Sequence, residues 1–196
     1  MNLPNQLTIS RFALTAAFLA VIFSEIPFHE TVALGLFLAA SLTDYFDGMI
    51  ARRDKLITNF GILMDPLADK ILVCSAFIAF VGRDLMPAWM VVLIVARELA
   101  ITGLRLLAAS KNVVLAAEGY GKHKTVSQMV AIISILVLAS YQQWGGWADN
   151  VFGFAIFGAP WVAMFAELSK WLAVLFTVIS GALYLGRNRN LYLQDL

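Results

Sequence analysis

Apolar residues gather in six runs, at about residues 12–24, 31–50, 62–82, 87–109, 126–142 and 164–186, with most polar and charged residues between them. About 20 apolar residues in a helix cross the hydrocarbon core of a bilayer, so each run is read as one membrane helix. The stretch 144–162 breaks the pattern with Gly145, Gly146, Gly153, Gly158 and Pro160. It reads as a connector of interfacial aromatic character, and a seventh, re-entrant segment is compatible with it. Residues 3–11 could form a short interfacial helix ahead of the first span. The predicted architecture is all-α: an integral membrane bundle of six transmembrane helices, one domain over residues 1–196, with no internal repeat. The polar segment Met1–Arg11 carries a single Arg and no small-residue cleavage pattern follows it. The first apolar run is therefore expected to be a retained helix and not a cleavable signal peptide.

Composition agrees. Of 196 residues, 61% are hydrophobic and 14% charged, against roughly 45–50% and about 25% in soluble domains. Mean hydropathy is +0.80. These values argue against a water-soluble enzyme, a disordered chain or a nucleic-acid binder. The lone Cys74 excludes an internal disulfide and reads as a small apolar filler.

The net charge of +1 names no partner, so the placement of charge matters more than its sum. With six spans, one side of the bundle carries Arg11, Arg52, Arg53, Lys55, Lys111, Lys122, Lys124, Arg187 and Arg189, while the opposite loops hold only Arg83. This asymmetry places both termini in the cytoplasm, and Trp89, Trp144, Trp147, Trp161 and Trp171 map near the other interface. His29 and His123 lack a second ligand at metal spacing and receive no role. Lys170 and Glu167 read as an interfacial pair.

Ionisable groups at membrane depth are costly and mark function. Asp44 and Asp47 fall on one face of the second span, and Asp65 and Asp69 on one face of the third. A short connection, about residues 53–60, makes the two spans antiparallel neighbours, so both pairs can converge near one interface. Four carboxylates in a low-dielectric site repel unless protonated or neutralised by cations. Hard divalent ions take oxygen ligands, and Mg²⁺ commonly shares its shell with substrate phosphates. Gly48, Ala51 and Gly61 keep the rim free of bulk, and Arg52 offers a fork to a phosphate. The plainer alternative is that the acids cap helices or pair with Arg52, Arg53 and Lys70.

The run Asp44, Asp47, Gly48, Ala51, Arg52, Gly61, Asp65 and Asp69 follows the spacing D-x2-D-G-x2-A-R-x8-G-x3-D-x3-D. In this it resembles the CDP-alcohol phosphatidyltransferase family at every fixed position. The resemblance implies that Asp44, Asp47, Asp65 and Asp69 hold Mg²⁺ or Mn²⁺, two ions, and that Asp69 also serves as general base. It implies that Gly48, Ala51, Arg52, Thr58 and Gly61 receive the CDP group of CDP-diacylglycerol. Asn5 and Thr8 would approach the nucleotide from the N-terminal segment, although helix capping would also explain both. A homodimer is implied by resemblance alone.

An anionic acceptor needs cations that the carboxylates leave unneutralised. The fourth span carries Arg97, Thr102 and Arg105, and the following loop adds Lys122 and Lys124. These five residues are read as an acceptor-phosphate pocket, against the alternatives of topology-setting lysines and a buried Arg97–Glu98 pair. Lys70 reads as a structural partner. The run from Ala96 to Ala109 and the segment Gly121–Thr125 resemble the branch of the family that accepts sn-glycerol 3-phosphate. The expected reaction joins that acceptor to CDP-diacylglycerol and releases CMP. The alternatives are another acceptor (phosphatidylglycerol, inositol phosphate or serine), or an ion or proton transporter using the intramembrane acids.

Overall fold

Among the described residues, six helices of 20 or more residues carry the six apolar runs: α1 (Leu3–Ile22), α2 (His29–Asp54), α3 (Asn59–Gly82), α4 (Ala88–Ser110), α5 (Tyr120–Ser140) and, after a short α6 (Gly146–Phe152), α7 (Trp161–Arg187). A five-residue α8 (Arg189–Leu193) follows. The computed structural model describes residues 3–54, 59–111, 113, 120–156 and 158–193, with side chains at all of these except 3–5, 44–54, 59–63, 65–66, 120–122, 190 and 193.

Proline and glycine punctuate the chain. Pro87 and Pro160 precede the first residues of α4 and α7, where a missing N–H costs nothing. A 3-10 turn, Tyr141–Trp144, extends α5 until Gly145, at φ 87° and ψ 179°, redirects the chain. That backbone conformation is open essentially to glycine alone. The connector expected over 144–162 is thus a turn, the seven-residue α6 and a two-residue antiparallel pairing of Ala155–Ile156 with Ala159–Pro160. At about 10 Å its helix is far shorter than a membrane crossing.

α1 packs on both α2 and α3, α5 on α7 and α2, and α4 on α7 and α3. Phe18, Phe37, Phe77, Phe80, Ile94, Ile132 and Leu136 meet in the centre, completely buried. Between α5 and α7 the interior is polar: Gln128 Nε2 donates to Thr177 Oγ1 at 2.9 Å, and the Ser134 and Ser169 hydroxyls lie 2.6 Å apart. Outward, Val92, Leu99 and Leu106 of α4 are 63%, 68% and 66% exposed, whereas Glu98 of the same helix is 5% exposed. Large apolar side chains turned outward, with polar groups paired between helices, are the arrangement of a protein that sits in lipid, where small and polar residues join helices. Among the described residues, His123–Trp144 and Trp161–Arg187 are long and apolar enough to cross a membrane.

The separate helix expected over residues 3–11 is instead the start of the continuous α1. Nothing between Pro4 and Ile22 interrupts the backbone ladder, and Thr8 and Arg11 are fully buried in the bundle, not laid on a surface. The expected neighbours α2 and α3 do touch each other. Among the described residues both pack more extensively on α1 than on each other. All five tryptophans fall at the end where α4 and α7 begin and α5 finishes, with the Trp144 and Trp147 rings 6.1 Å apart and Trp89 and Trp171 5.5 Å apart.

Candidate active site

Asp44 and Asp47 lie in the last three turns of α2, and Asp65 and Asp69 in the first three turns of α3. The two pairs therefore flank one connection. The side chains of Asp44, Asp47 and Asp65 lie outside the described residues, as do those of Asn5, Gly48, Ala51, Arg52, Gly61 and Lys122, and Thr58 altogether. Asp69 is partly buried. Among the described residues no group of three or more His, Cys, Asp or Glu side chains could hold a metal ion. The donor set on α2 and α3 is all carboxylate, the chemistry that Mg²⁺ and Mn²⁺ prefer, so the residues suit such ions by type.

Thr8 stands in the second turn of α1, past the N-cap position, and is completely buried. Arg11, counted above as a flanking charge, is 0% exposed. A guanidinium so deeply placed requires compensating charge, and α1 rests against both helices that carry the aspartates. Position in a polar N-terminal stretch concealed this; only the unbroken helix turns Arg11 inward.

Lys70 of α3, Arg97 of α4 and Lys124 of α5 gather around Glu98. Lys124 Nζ donates to Glu98 Oε1 at 2.5 Å, and Arg97 Nη1 reaches the same oxygen at 3.2 Å. The Lys70 ammonium donates to Thr102 Oγ1, whose hydroxyl donates in turn to the Glu98 backbone carbonyl at 2.7 Å. Arg105 lies beside this network, its Nε donating to the Tyr184 hydroxyl at 3.3 Å, and it is within electrostatic reach of Lys70. The structure thus brings together Arg97, Thr102 and Lys124, with Arg105 adjacent. The Arg97–Glu98 pair weighed from the sequence is present, but Lys124 is a second and closer partner. Lys124 and Arg97 share the Glu98 carboxylate and Lys70 reaches the Glu98 backbone carbonyl by way of Thr102, a gathering of cations that suits an anionic ligand. Asp69 adjoins Lys70 in sequence, and Lys70 donates to Thr102 of α4. The carboxylate-bearing end of α3 therefore abuts the basic network.

The family model for CDP-alcohol phosphatidyltransferases matches residues 1–179, which takes in every one of these groups except Tyr184. The chain belongs to the CDP-alcohol phosphatidyltransferase family. It is 40% identical over 199 residues to the CDP-diacylglycerol--glycerol-3-phosphate 3-phosphatidyltransferase of Bacillus subtilis (strain 168), covering 95% of each chain. It is 36% identical over 183 residues to the protein of the same name from Rickettsia bellii (strain RML369-C), covering 93% of each. A probable phosphatidylglycerophosphate synthase of Mycobacterium tuberculosis (strain ATCC 25618 / H37Rv) is 36% identical over 189 residues, 95% of this chain and 81% of that one. Membership in a phosphatidyltransferase family removes the transporter alternative. CDP-alcohol phosphatidyltransferases generally depend on a divalent metal.

Proposed function

We propose that this phosphatidyltransferase moves the phosphatidyl group of CDP-diacylglycerol to sn-glycerol 3-phosphate, giving phosphatidylglycerophosphate and CMP. The observation that carries the reading is similarity over nearly the whole chain to relatives named for this reaction. The cationic network around Glu98 supports the choice of a phosphorylated acceptor.

In this reading α1–α5 and α7 cross a cell membrane of bacterial type. Both termini and the site face the cytoplasm, following the Lys/Arg asymmetry of the loops. Lipid tails enter between helices, and the soluble acceptor and CMP use the cytoplasmic mouth. Asn5, Thr8, Gly48, Ala51, Arg52, Thr58 and Gly61 receive the CDP group. Asp44, Asp47, Asp65 and Asp69 would hold Mg²⁺ or Mn²⁺, which when bound supply charge stabilisation at the diphosphate. Arg97, Thr102, Arg105, Lys122 and Lys124 hold the acceptor's phosphate.

Asp69 takes the proton from the acceptor's 1-hydroxyl. That oxygen bonds to the phosphorus bearing diacylglycerol, the bond from this phosphorus to the CMP oxygen breaks, and CMP leaves against Arg52. The proton passes from Asp69 to solvent. No Ser, Cys or His accompanies the aspartates within the motif, so direct transfer suffices. A homodimer follows from family likeness.

The test is release of CMP from CDP-diacylglycerol by purified protein offered sn-glycerol 3-phosphate, phosphatidylglycerol, inositol phosphate or serine. The reading expects phosphatidylglycerophosphate from the first acceptor at a rate far above the others. A higher rate with another acceptor would reassign the branch.

A further inference from the structure

None of the residues assigned above to the acceptor's phosphate comes from α7, yet α7 supports two of them. Gly181 and Tyr184 lie three residues apart on α7, both buried. A Cβ on Gly181 would stand 2.8 Å from Arg97 Cγ, closer than carbon atoms approach without displacement. The missing side chain is the slot through which the aliphatic stem of Arg97 passes to reach Glu98. Tyr184, 4% exposed, supports Arg105 in a different way. Its hydroxyl accepts from Nε at 3.3 Å, and its ring centroid lies 5.7 Å from Arg105 Cζ. Occupying Nε and one guanidinium face leaves the Nη groups as donors for a ligand. Arg97 and Arg105 are eight residues apart, which on α4 alone turns them about 80° from alignment. One face of α7 meets both.

We propose that Gly181 and Tyr184 are positioning residues that hold Arg97 and Arg105 in place for a phosphate-bearing acceptor, so that α7 sets acceptor affinity without touching the acceptor. The inference rests on the assignment of Arg97 and Arg105 to the acceptor pocket, and its test separates the two.

KM for sn-glycerol 3-phosphate and for CDP-diacylglycerol is measured in Arg97→Ala, Arg105→Ala, Gly181→Ala, Tyr184→Leu and Tyr184→Phe. It is also measured in the doubles Gly181→Ala with Arg97→Ala and Tyr184→Leu with Arg105→Ala. Each single change except Tyr184→Phe is expected to raise the acceptor KM about tenfold, with the donor KM unchanged. Tyr184→Phe keeps the ring and falls between wild type and Tyr184→Leu. Each double should match its arginine single, because the second change has nothing left to displace. Additive doubles, or equal rises in both KM values, would reduce α7 to ordinary helix packing and overturn the inference. If the arginine variants leave the acceptor KM unchanged, the pocket assignment fails and the inference falls with it. If they raise it while the α7 variants do not, the inference alone fails. Should Gly181→Ala fold only in the Arg97→Ala background, the close contact is supported, and the Tyr184 cycle decides the rest.

Discussion

Replacing Glu98 with glutamine removes the one carboxylate that, among the described residues, faces Lys124 and Arg97. The side chains are 7%, 9% and 14% exposed, and the contacts measure 2.5 and 3.2 Å. At an effective dielectric of about 20, charges at these separations attract by about 7 and about 5 kcal/mol. Desolvation offsets most of that, and breaking a buried pair by removing one partner costs about 3–5 kcal/mol net. Glutamine retains a carbonyl oxygen for Lys124, which recovers about 1 kcal/mol. The variant should therefore lose about 2–4 kcal/mol. For a chain of this length that corresponds to a fall in Tm of roughly 5–15 °C, read by thermal unfolding of the detergent-solubilised protein. Lys124→Met in the same chain removes the cation left without a partner, so the double variant should be more stable than the two single losses add up to, by about 1–3 kcal/mol. A Tm change below about 2 °C for Glu98→Gln, or strict additivity in the cycle, would refute the reasoning.

Three further outcomes follow from the same structure. Asp69→Asn should lower kcat by about 100-fold or more while Tm is retained; turnover near wild type would remove Asp69 from the role of base. Chelation of divalent ions should stop CMP release and added Mg²⁺ or Mn²⁺ should restore it, whereas activity that persists in excess chelator would contradict a carboxylate-held metal. Gly145→Ala forces a side chain onto φ 87° and ψ 179° and should cost about 1–3 kcal/mol, visible as a lower Tm, and an unchanged Tm would contradict the assigned backbone.

What was legible in the sequence was local. The apolar runs fall on α1–α5 and α7 because a continuous apolar run between polar, Gly- or Pro-bearing breaks is itself a local signal of a helix. The aspartate spacing could be read because it needs only two helices and their link. What was not legible depends on distant packing. Arg11 looked like a flanking charge until α1 proved unbroken and turned it into the interior. Lys124 was read as a phosphate anchor, with topology as the alternative, and nothing local to it announces Glu98, 26 residues earlier. The alternative pair, Arg97 with Glu98, was visible because the two are adjacent. Gly181 carries no chemistry of its own, and its meaning appears only when the Arg97 stem lies across it. Residues 144–162 resisted a firm assignment because their glycines permit many turns, and a seven-residue helix leaves no clear period.

The account depends on aspartates from α2 and α3 sharing cations beside the donor's diphosphate. The most direct measurement is Mn²⁺ binding, followed by loss of the free-ion paramagnetic resonance signal, in protein loaded with CDP-diacylglycerol and compared with Asp44→Asn, Asp47→Asn and Asp65→Asn. Each substitution should weaken Mn²⁺ binding by about tenfold or more while the protein stays folded. Mn²⁺ affinity unchanged across all three would contradict the account.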